Sequence, residues 1–304
     1  MLIKSYNYIL IISKSPTKYK NQMKYYIETN GLRNLNSKLN AVSCNCFTSA
    51  LSILETISGL RKSSKEYRIR KSVLINLYSS NIAIDWESPE IKKAHAFPRI
   101  TYNDYRMEGL KKLVHHLIST SDLESFLKET DSEKYNLKYF EELDAFYNKK
   151  FIEATKVGND KIKTHLKNID KSFDQDYIDF TSGLVKNLPS DLLLNESLTL
   201  YSIVENLVDA IEMELKIVID RKEIYNSYNG NINIFIHYFS LFTATKAASF
   251  YDAGHNDYFD LLHLVYLKNN IEYKIVSDDK IFEQNTYSIK VSEFEKLCIN
   301  SNSI

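Results

Sequence analysis

The chain has 304 residues and a formal net charge of zero, with 39 basic and 39 acidic side chains, so no overall field draws it onto nucleic acid. Its hydrophobic fraction of 44% is ordinary for a globular protein, and it contains only 7 Gly and 4 Pro. Strands joined by tight turns need those two residues, so the composition disfavours an all-β fold and suits long helices.

Cysteine usage and hydropathy bound the setting of the protein. Cys44, Cys46 and Cys298 are too few to make a disulfide framework, and the C-x-C pair lacks a second pair for zinc. We interpret all three as buried free thiols in a reducing, cytoplasmic compartment. The apolar run 8–12 is too short to cross a membrane, so no membrane association is expected.

The first third of the chain alternates between β-prone and helix-prone segments. Strands are predicted at residues 2–12, 39–44 and 81–86. Helices are predicted between them at about 16–30, 47–60 and 64–79. Pro16 suits a first helical turn, and Gly59 suits a helix end. Alternation of this kind predicts a parallel sheet.

The pattern changes to helical periodicity from about 99 to 251. The clearest case is 197–222, where one predicted helical face carries Leu200, Ile203, Val204, Leu207, Ile211, Leu215 and Val218. A helix at 257–269, a strand at 273–276 and a helix at 291–298 follow. We therefore predict a discontinuous α/β core, residues 1–98 and 252–304, with an all-helical insertion at 99–251.

Neither G-x-G-x-x-G nor G-x-x-x-x-G-K-[ST] occurs, which argues against a nucleotide-binding Rossmann or P-loop protein. Instead, three acids fall where a parallel sheet presents a site, beyond the carboxyl ends of its strands. Glu55 lies in the apolar helix SALSILETISGL, Asp260 opens FDLLHLVYL, and Asp279 follows the strand YKIVS. A carboxylate in an apolar setting needs a partner, and clustered carboxylates suit Mg²⁺ or Mn²⁺.

The segment FDLLHLVYLKNNIEYKIVSDDKIF resembles the C-terminal signature of PIN-domain nucleases. That signature has an acid opening a helix, then a strand, then Ser or Thr, one residue and Asp. Asp260, Ser277 and Asp279 match it. The segment AVSCNCFTSALSILETISG is similar to the family's strand, hydroxyl residue and helix with a central Glu, here Glu55. The resemblance implies a three-layer PIN-like core over about half the chain.

The family's first acid ends its first strand in a D-x-N or D-x-S element. Aligning Asn7 with that Asn puts Ser5 at the aspartate position, a departure from the family. Three explanations stay open: an engineered inactive variant, a natural pseudo-nuclease, or another acid completing the site. Asp257 and Asp278 are the nearest spare acids. Asp257 is included among the candidate metal ligands, although a helix cap is the favoured interpretation of it.

The resemblance implies metal-assisted hydrolysis of phosphodiester bonds by an endoribonuclease, in a toxin, RNA-processing or phage-defence role. RNA is the expected partner, and the insertion is a surface for an inhibitor or partner protein. A homo-oligomer stays open. The competing hypothesis is a non-catalytic RNA- or protein-binding module on a degenerate PIN scaffold. A third is a helical interaction protein that acts through its insertion.

Candidate substrate-binding residues are Asn7, Ser277, Arg68 and Arg70. The two arginines belong to a basic stretch that includes Arg61, Lys62, Lys65 and Lys71, which is either a phosphate-binding surface or a solvated helix face.

The histidines and the acids of the longest apolar helix have structural interpretations. His263 is interpreted as a core or rim histidine, and His115 and His116 as surface residues. His255 lies in a loop where it could approach a phosphate. Glu205, Asp209, Glu212 and Glu214 are interpreted as a wet helix face rather than as a second metal site.

Overall fold

A computed structural model describes residues 23–169, 192–249, 251–268, 272–282 and 286–299. Within these ranges the protein is α/β, built on a five-stranded, all-parallel sheet in the order β3-β2-β1-β4-β5. The strands are β1 (Lys24–Ile27), β2 (Cys46–Ser49), β3 (Ala83–Asp85), β4 (Tyr273–Val276) and β5 (Ser288–Ile289).

Helices connect and cover the strands. Those in the predicted core are α1 (Thr29–Leu35), α2 (Ala50–Ser58), α3 (Ser64–Tyr78), α4 (Pro89–Ala94), α11 (Asp257–Leu262) and α12 (Val291–Cys298). Those in the predicted insertion are α5 (Arg106–Ser119), α6 (Leu123–Thr130), α7 (Leu137–Ile169), α8 (Leu192–Leu215), α9 (Arg221–Asn226) and α10 (Asn233–Ser249). Short 3₁₀ turns lie at Asn36–Ala41, Leu60–Lys62, His263–Tyr266 and Lys280–Phe282.

The register of the central strands determines where the site lies. Ile27 at the end of β1 is aligned with Val276 at the end of β4, and Tyr26 is aligned with Phe47 of β2. Because all the strands are parallel, the residues that follow them emerge at one edge of the sheet. That edge receives Glu28 directly after β1 and Ser277 directly after β4.

Several predicted elements agree with the structure. The strand at 273–276 and the helix at 291–298 have the observed bounds, and the helix at 64–79 differs from α3 by one residue. The described part of 99–251 contains helices and no strand. On α8 the predicted apolar face is buried up to Ile211, whereas Leu215 is exposed and Val218 lies beyond the helix and is exposed.

Two predictions near the N-terminus are wrong. The helix predicted at 16–30 is wrong where it meets β1, because Tyr25, Tyr26 and Ile27 are strong strand formers that pair with two neighbouring strands. The strand predicted at 39–44 is wrong, since a 3₁₀ turn occupies Asn36–Ala41 and β2 begins at Cys46. The strand predicted at 2–12 lies outside the described residues.

The cysteine interpretation is also wrong for two of the three residues. Cys44 and Cys298 form a disulfide, which ties the loop before β2 to the last residue of α12, and Ser43 reinforces the contact by donating to the Cys298 carbonyl at 2.6 Å. Only Cys46 is a buried free thiol in the described residues. Spacing along the chain gives no sign of a contact between residues 254 positions apart.

The buried apolar side chains form one continuous cluster that includes residues of both the predicted core and the predicted insertion. Helix α7 of the insertion packs along α2, the helix that carries Glu55. The insertion therefore borders the carboxyl edge of the sheet. In the described ranges, no helix has both the length and the apolar character required to cross a membrane.

Helix α1 lies unusually close to the end of β4, and Gly31 permits this. A Cβ atom at Gly31 would lie 2.6 Å from the Val276 carbonyl oxygen, a backbone atom that cannot rotate away. Gly31→Ala is therefore expected to destabilise the protein by about 1–3 kcal/mol, measured by urea unfolding.

Gly254→Ala is the matched control, because the nearest atom there is 3.3 Å away on the mobile side chain of Asp257. Equal effects of the two substitutions on the free energy of unfolding would contradict the close approach of α1 to β4.

Candidate active site at the carboxyl edge of the sheet

Glu28 is the acid at the carboxyl end of the central strand. It is 2% exposed, and it caps α1 by accepting hydrogen bonds from the backbone N–H groups of Asn30 at 2.6 Å and Gly31 at 2.9 Å. Burial is the main cause that raises the pKa of Glu28 to about 7, with the charge of Asp279 acting in the same direction. Glu28 therefore lies directly after the central strand, whereas Ser5 and Asn7 lie outside the described residues.

Glu55 projects from α2 toward the same edge and is held by two neighbours. Thr29 donates its hydroxyl hydrogen to the Glu55 carboxylate, and His263 Nε2 lies 2.7 Å from Glu55 Oε2. The other ring nitrogen of His263 lies 2.5 Å from the hydroxyl of Tyr26 on β1. A buried chain of polar groups thus runs from the sheet through His263 to Glu55.

His263 lies between Tyr26 and Glu55 in this chain. Burial disfavours its charged form, but the charge of Glu55 and the hydrogen bond to it outweigh burial and raise the pKa of His263. With 1% of the residue exposed, His263 is a core histidine, as the sequence indicated, and it does not face a substrate. Its geometry suits it to position Glu55.

Asp260 and Asp279 complete a group of four acids. Asp279 accepts a hydrogen bond from Asn30 Nδ2 at 2.6 Å, which links it to α1 beside Glu28. Asp260 is half-buried in the first turn of α11, and no donor among the described residues hydrogen-bonds its carboxylate. Burial and then the charges of Glu55 and Asp279 raise the pKa of Asp260 to about 8, so these acids repel one another.

This donor set has the chemistry of a Mg²⁺ or Mn²⁺ site, because hard divalent cations prefer carboxylate oxygens and relieve their mutual repulsion. The side chains as they stand are not drawn together. Among the described residues, no three His, Cys, Asp or Glu side chains are arranged closely enough to hold a metal ion. A bound cation would need Glu55 or Asp279 to rotate away from its present hydrogen-bond partners.

The insertion contributes a fifth acid, Asp144 on α7. Burial and then the charge of Glu55 raise the pKa of Asp144 to about 6, which places its carboxylate within the field of the cluster. Its carboxylate accepts a hydrogen bond from Asn148 Nδ2 at 3.4 Å, one turn along the same helix. The insertion thus borders the site chemically as well as sterically.

Part of the basic stretch is already paired. Arg70, predicted to bind substrate, is 6% exposed, and its guanidinium donates to Glu66 at 2.8 Å and to the Glu55 carbonyl at 2.8 Å. Arg61 is ion-paired with Glu141 of α7. Arg70 therefore satisfies carbonyl groups at the end of α2, and its predicted role in substrate binding stays a prediction.

Arg68 remains exposed, with only a 3.4 Å contact to its own helix, so its predicted substrate role stays a prediction. Lys71 donates to the carbonyl of Thr120. Ser277 is buried, and its hydroxyl accepts the N–H of Asp279 at 3.0 Å, which orients that acid.

Asp257 serves the local fold instead of the cluster. It accepts the N–H of Gly254 at 2.6 Å and lies 3.5 Å from Lys246, as a helix-terminal acid does. The exposed Asp278 accepts the N–H of Val291 at 3.1 Å. His255 Nδ1 lies 2.6 Å from the side-chain oxygen of the neighbouring Asn256.

The acids of α8 have a cation of their own. Arg221 contacts Glu205 at 3.0 Å, Asp209 at 2.5 Å and Glu212 at 3.0 Å, so these three share one face as predicted and neutralise a guanidinium. No second metal site needs to be invoked there.

Sequence reasoning missed Glu28, Asn30 and Asp144. The first two had a signal: Tyr-Tyr-Ile is β-prone, and the Glu-Thr-Asn that follows has the spacing of an acid, any residue and Asn. Asp144 had none, because it lies in a polar stretch of a long helix whose neighbours only the fold supplies.

No protein-family model matches the chain, and neither a curated protein nor a solved structure matches it significantly.

The raised pKa values give a sign for the pH dependence of stability. An acid whose pKa is higher in the folded chain binds more protons when folded. Its contribution to the free energy of unfolding is therefore fully present below about pH 4 and is lost as the pH rises through its pKa in the folded chain. For Asp260 that window extends to about pH 8.

Asp260→Asn is expected to change the free energy of unfolding of the metal-free protein more favourably at pH 8 than at pH 4, by about 1–3 kcal/mol. Urea unfolding of the parent and the variant at both pH values measures this difference. Asp131→Asn, at an exposed aspartate, is the control and should show no such difference. An Asp260→Asn effect that is equal at the two pH values would show that Asp260 does not experience the charges of its neighbours.

Proposed function

We propose that the chain is a divalent-metal-dependent endoribonuclease on a PIN-like, three-layer scaffold. The observation that supports this most is the gathering of Glu28, Glu55, Asp260 and Asp279 from four separate parts of the chain at one edge of a parallel sheet. Acids that repel one another destabilise the fold unless a cation binds between them. Their proximity therefore favours a metal-dependent function.

The resemblance to PIN domains becomes more complete with Glu28. Glu28-Thr29-Asn30 follows the central strand with the spacing of the family's D-x-N element, with Glu in place of Asp. Under this proposal the first acid is present, one methylene longer than the family's, and no inactivating Ser5 needs to be explained.

Glu28, Asp260 and Asp279 would hold the cation, with Glu55 joining after it leaves Thr29. A bound Mg²⁺ or Mn²⁺ would polarise the phosphodiester and lower the pKa of water. The chain's own residues orient the donors: Asn30 and Ser277 fix Asp279, and His263 holds Glu55. No side chain needs to form a covalent intermediate.

The direct test is cleavage of single-stranded RNA in the presence of Mn²⁺. Glu28→Gln, Asp260→Asn and Asp279→Asn should each lower the cleavage rate by at least about 100-fold, because even outer-shell partners of a metal cost 10–100-fold. Glu28→Asp, which introduces the family's acid, should retain cleavage. Glu124→Gln, at an exposed acid on α6, should cleave as the parent does.

Absence of cleavage by both the parent and Glu28→Asp, with the proteins folded, would contradict the nuclease proposal. Cleavage that survives Asp260→Asn would assign the activity to other residues.

A second candidate, a non-catalytic RNA-binding module, is favoured by one observation. Glu55 and Asp279 are occupied by Thr29, His263 and Asn30, with no ready-made metal group in the described residues. RNA binding by the folded parent that is unchanged by removing divalent cations, without any cleavage, would favour this candidate.

A further inference from the structure

A separate cavity lies in the helical part of the molecule, between α4, α7, α8, α10 and α11. Its volume is about 640 Å³, within the range of small-molecule sites, about 300–1,000 Å³. Aromatic side chains dominate its wall, among them Tyr102, Phe146, Phe151, Phe235, Phe239 and Tyr258. None of the four proposed metal ligands lines it.

The aromatic wall is continuous. The ring centroid of Phe151 lies 5.1 Å from that of Tyr258 and 5.7 Å from that of Phe239, and Phe239 lies 5.3 Å from Phe235. Rings at these separations offer flat apolar faces and edges to a planar body. Phe146, which is 54% exposed, stands at the border with solvent, so the cavity has a route of entry.

The feature that points to a ligand is Lys93 on α4. It is 9% exposed and lines the cavity, and its Nζ lies 5.5 Å from the ring centroid of Phe235 and 5.8 Å from that of Tyr258. No carboxylate among the described residues lies within ion-pair distance of this ammonium. Glu90, which also lines the cavity, is 3.6 Å from Arg106 instead.

Burying an ammonium is costly unless an anion or several polar groups surround it, and the faces of two rings satisfy it only in part. An anionic group entering the cavity would therefore meet a fixed positive charge without first breaking an ion pair. Thr199, Ser202 and Asn206 line the same cavity and add hydroxyl and amide groups to it.

We propose that this cavity binds a small organic anion with a planar aromatic body, whose carboxylate, sulfonate or phosphate contacts Lys93 and whose ring lies against Phe151 and Tyr258. The proposal is independent of the nuclease proposal, because none of the four acids takes part in it. Helix α7, which lines the cavity, also packs against α2.

Two fluorescent probes with one aromatic skeleton test this. The full chain is titrated with 8-anilinonaphthalene-1-sulfonate, which carries the anion, and with N-phenyl-1-naphthylamine, which lacks it. The parent should bind the sulfonate saturably, at one site, and at least ten-fold more tightly than the neutral probe. Lys93→Met should abolish that preference.

Lys149→Met is the matched control on α7, since the Lys149 side chain is 76% exposed, and it should behave as the parent. Ala210→Trp fills the cavity from an exposed position and should block both probes while Lys93 is intact. Circular dichroism and thermal unfolding establish that each variant is folded.

The proposal is overturned if the folded parent shows no saturable sulfonate binding, or if Lys93→Met binds the sulfonate as tightly as the parent. Should Lys93→Met fail to fold, Ala210→Trp decides the matter: unchanged sulfonate binding by that variant overturns the proposal. Loss of RNA cleavage without loss of probe binding, or the reverse, separates this site from the carboxylate cluster.

Discussion

The repulsion between carboxylates at the edge of the parallel sheet is the constraint on which the rest of the site depends. Parallel pairing of β1 with β4, in the register that aligns Ile27 with Val276, brings Glu28 and the Ser277-to-Asp279 turn to one edge. Helices α2 and α11 then add Glu55 and Asp260. Burial raises the free energy of the ionised Glu28 and Asp260 side chains, and the charge of Asp279 raises it further for both.

The surrounding residues hold the four acids in place but do not neutralise all of their negative charge. Tyr26, His263 and Glu55 form a buried chain that gives one acid an imidazole partner, and Asn30 gives Asp279 an amide donor. Asp260 has no such donor among the described residues. A divalent cation is therefore best placed to neutralise the charge of Asp260. This is the physical basis of the proposed metal dependence.

Residue preferences and periodicity within short segments predicted several helices and strands of the fold. The Tyr273–Val276 strand is β-prone and bounded by polar residues, α12 has a clear helical period, and Glu55 stands out as an acid in an apolar helix. The α/β class and the parallel sheet followed from alternation of elements. Glu55, Asp260 and Asp279 were therefore singled out from sequence as candidate metal ligands, and that role stays a prediction, whereas the acids that surround them were not predicted.

The remaining features depend on contacts that no local pattern reports. The four residues of β1 were too few to outweigh the helical pattern upstream, and so Glu28, which follows β1, was not singled out from sequence. Arg70 was singled out as a candidate substrate-binding residue, but sequence does not reveal that Gly59 lets its guanidinium reach the end of α2. Asp144 and the Cys44–Cys298 disulfide likewise arise only from folding.

Under this proposal the four acids share one divalent cation. Calorimetric titration of the metal-free protein with Mn²⁺ at pH 8 tests this most directly. We expect saturable binding, weakened at least ten-fold by Asp260→Asn and unchanged by Asp131→Asn. Absence of binding, or binding that Asp260→Asn leaves unchanged, would contradict the account.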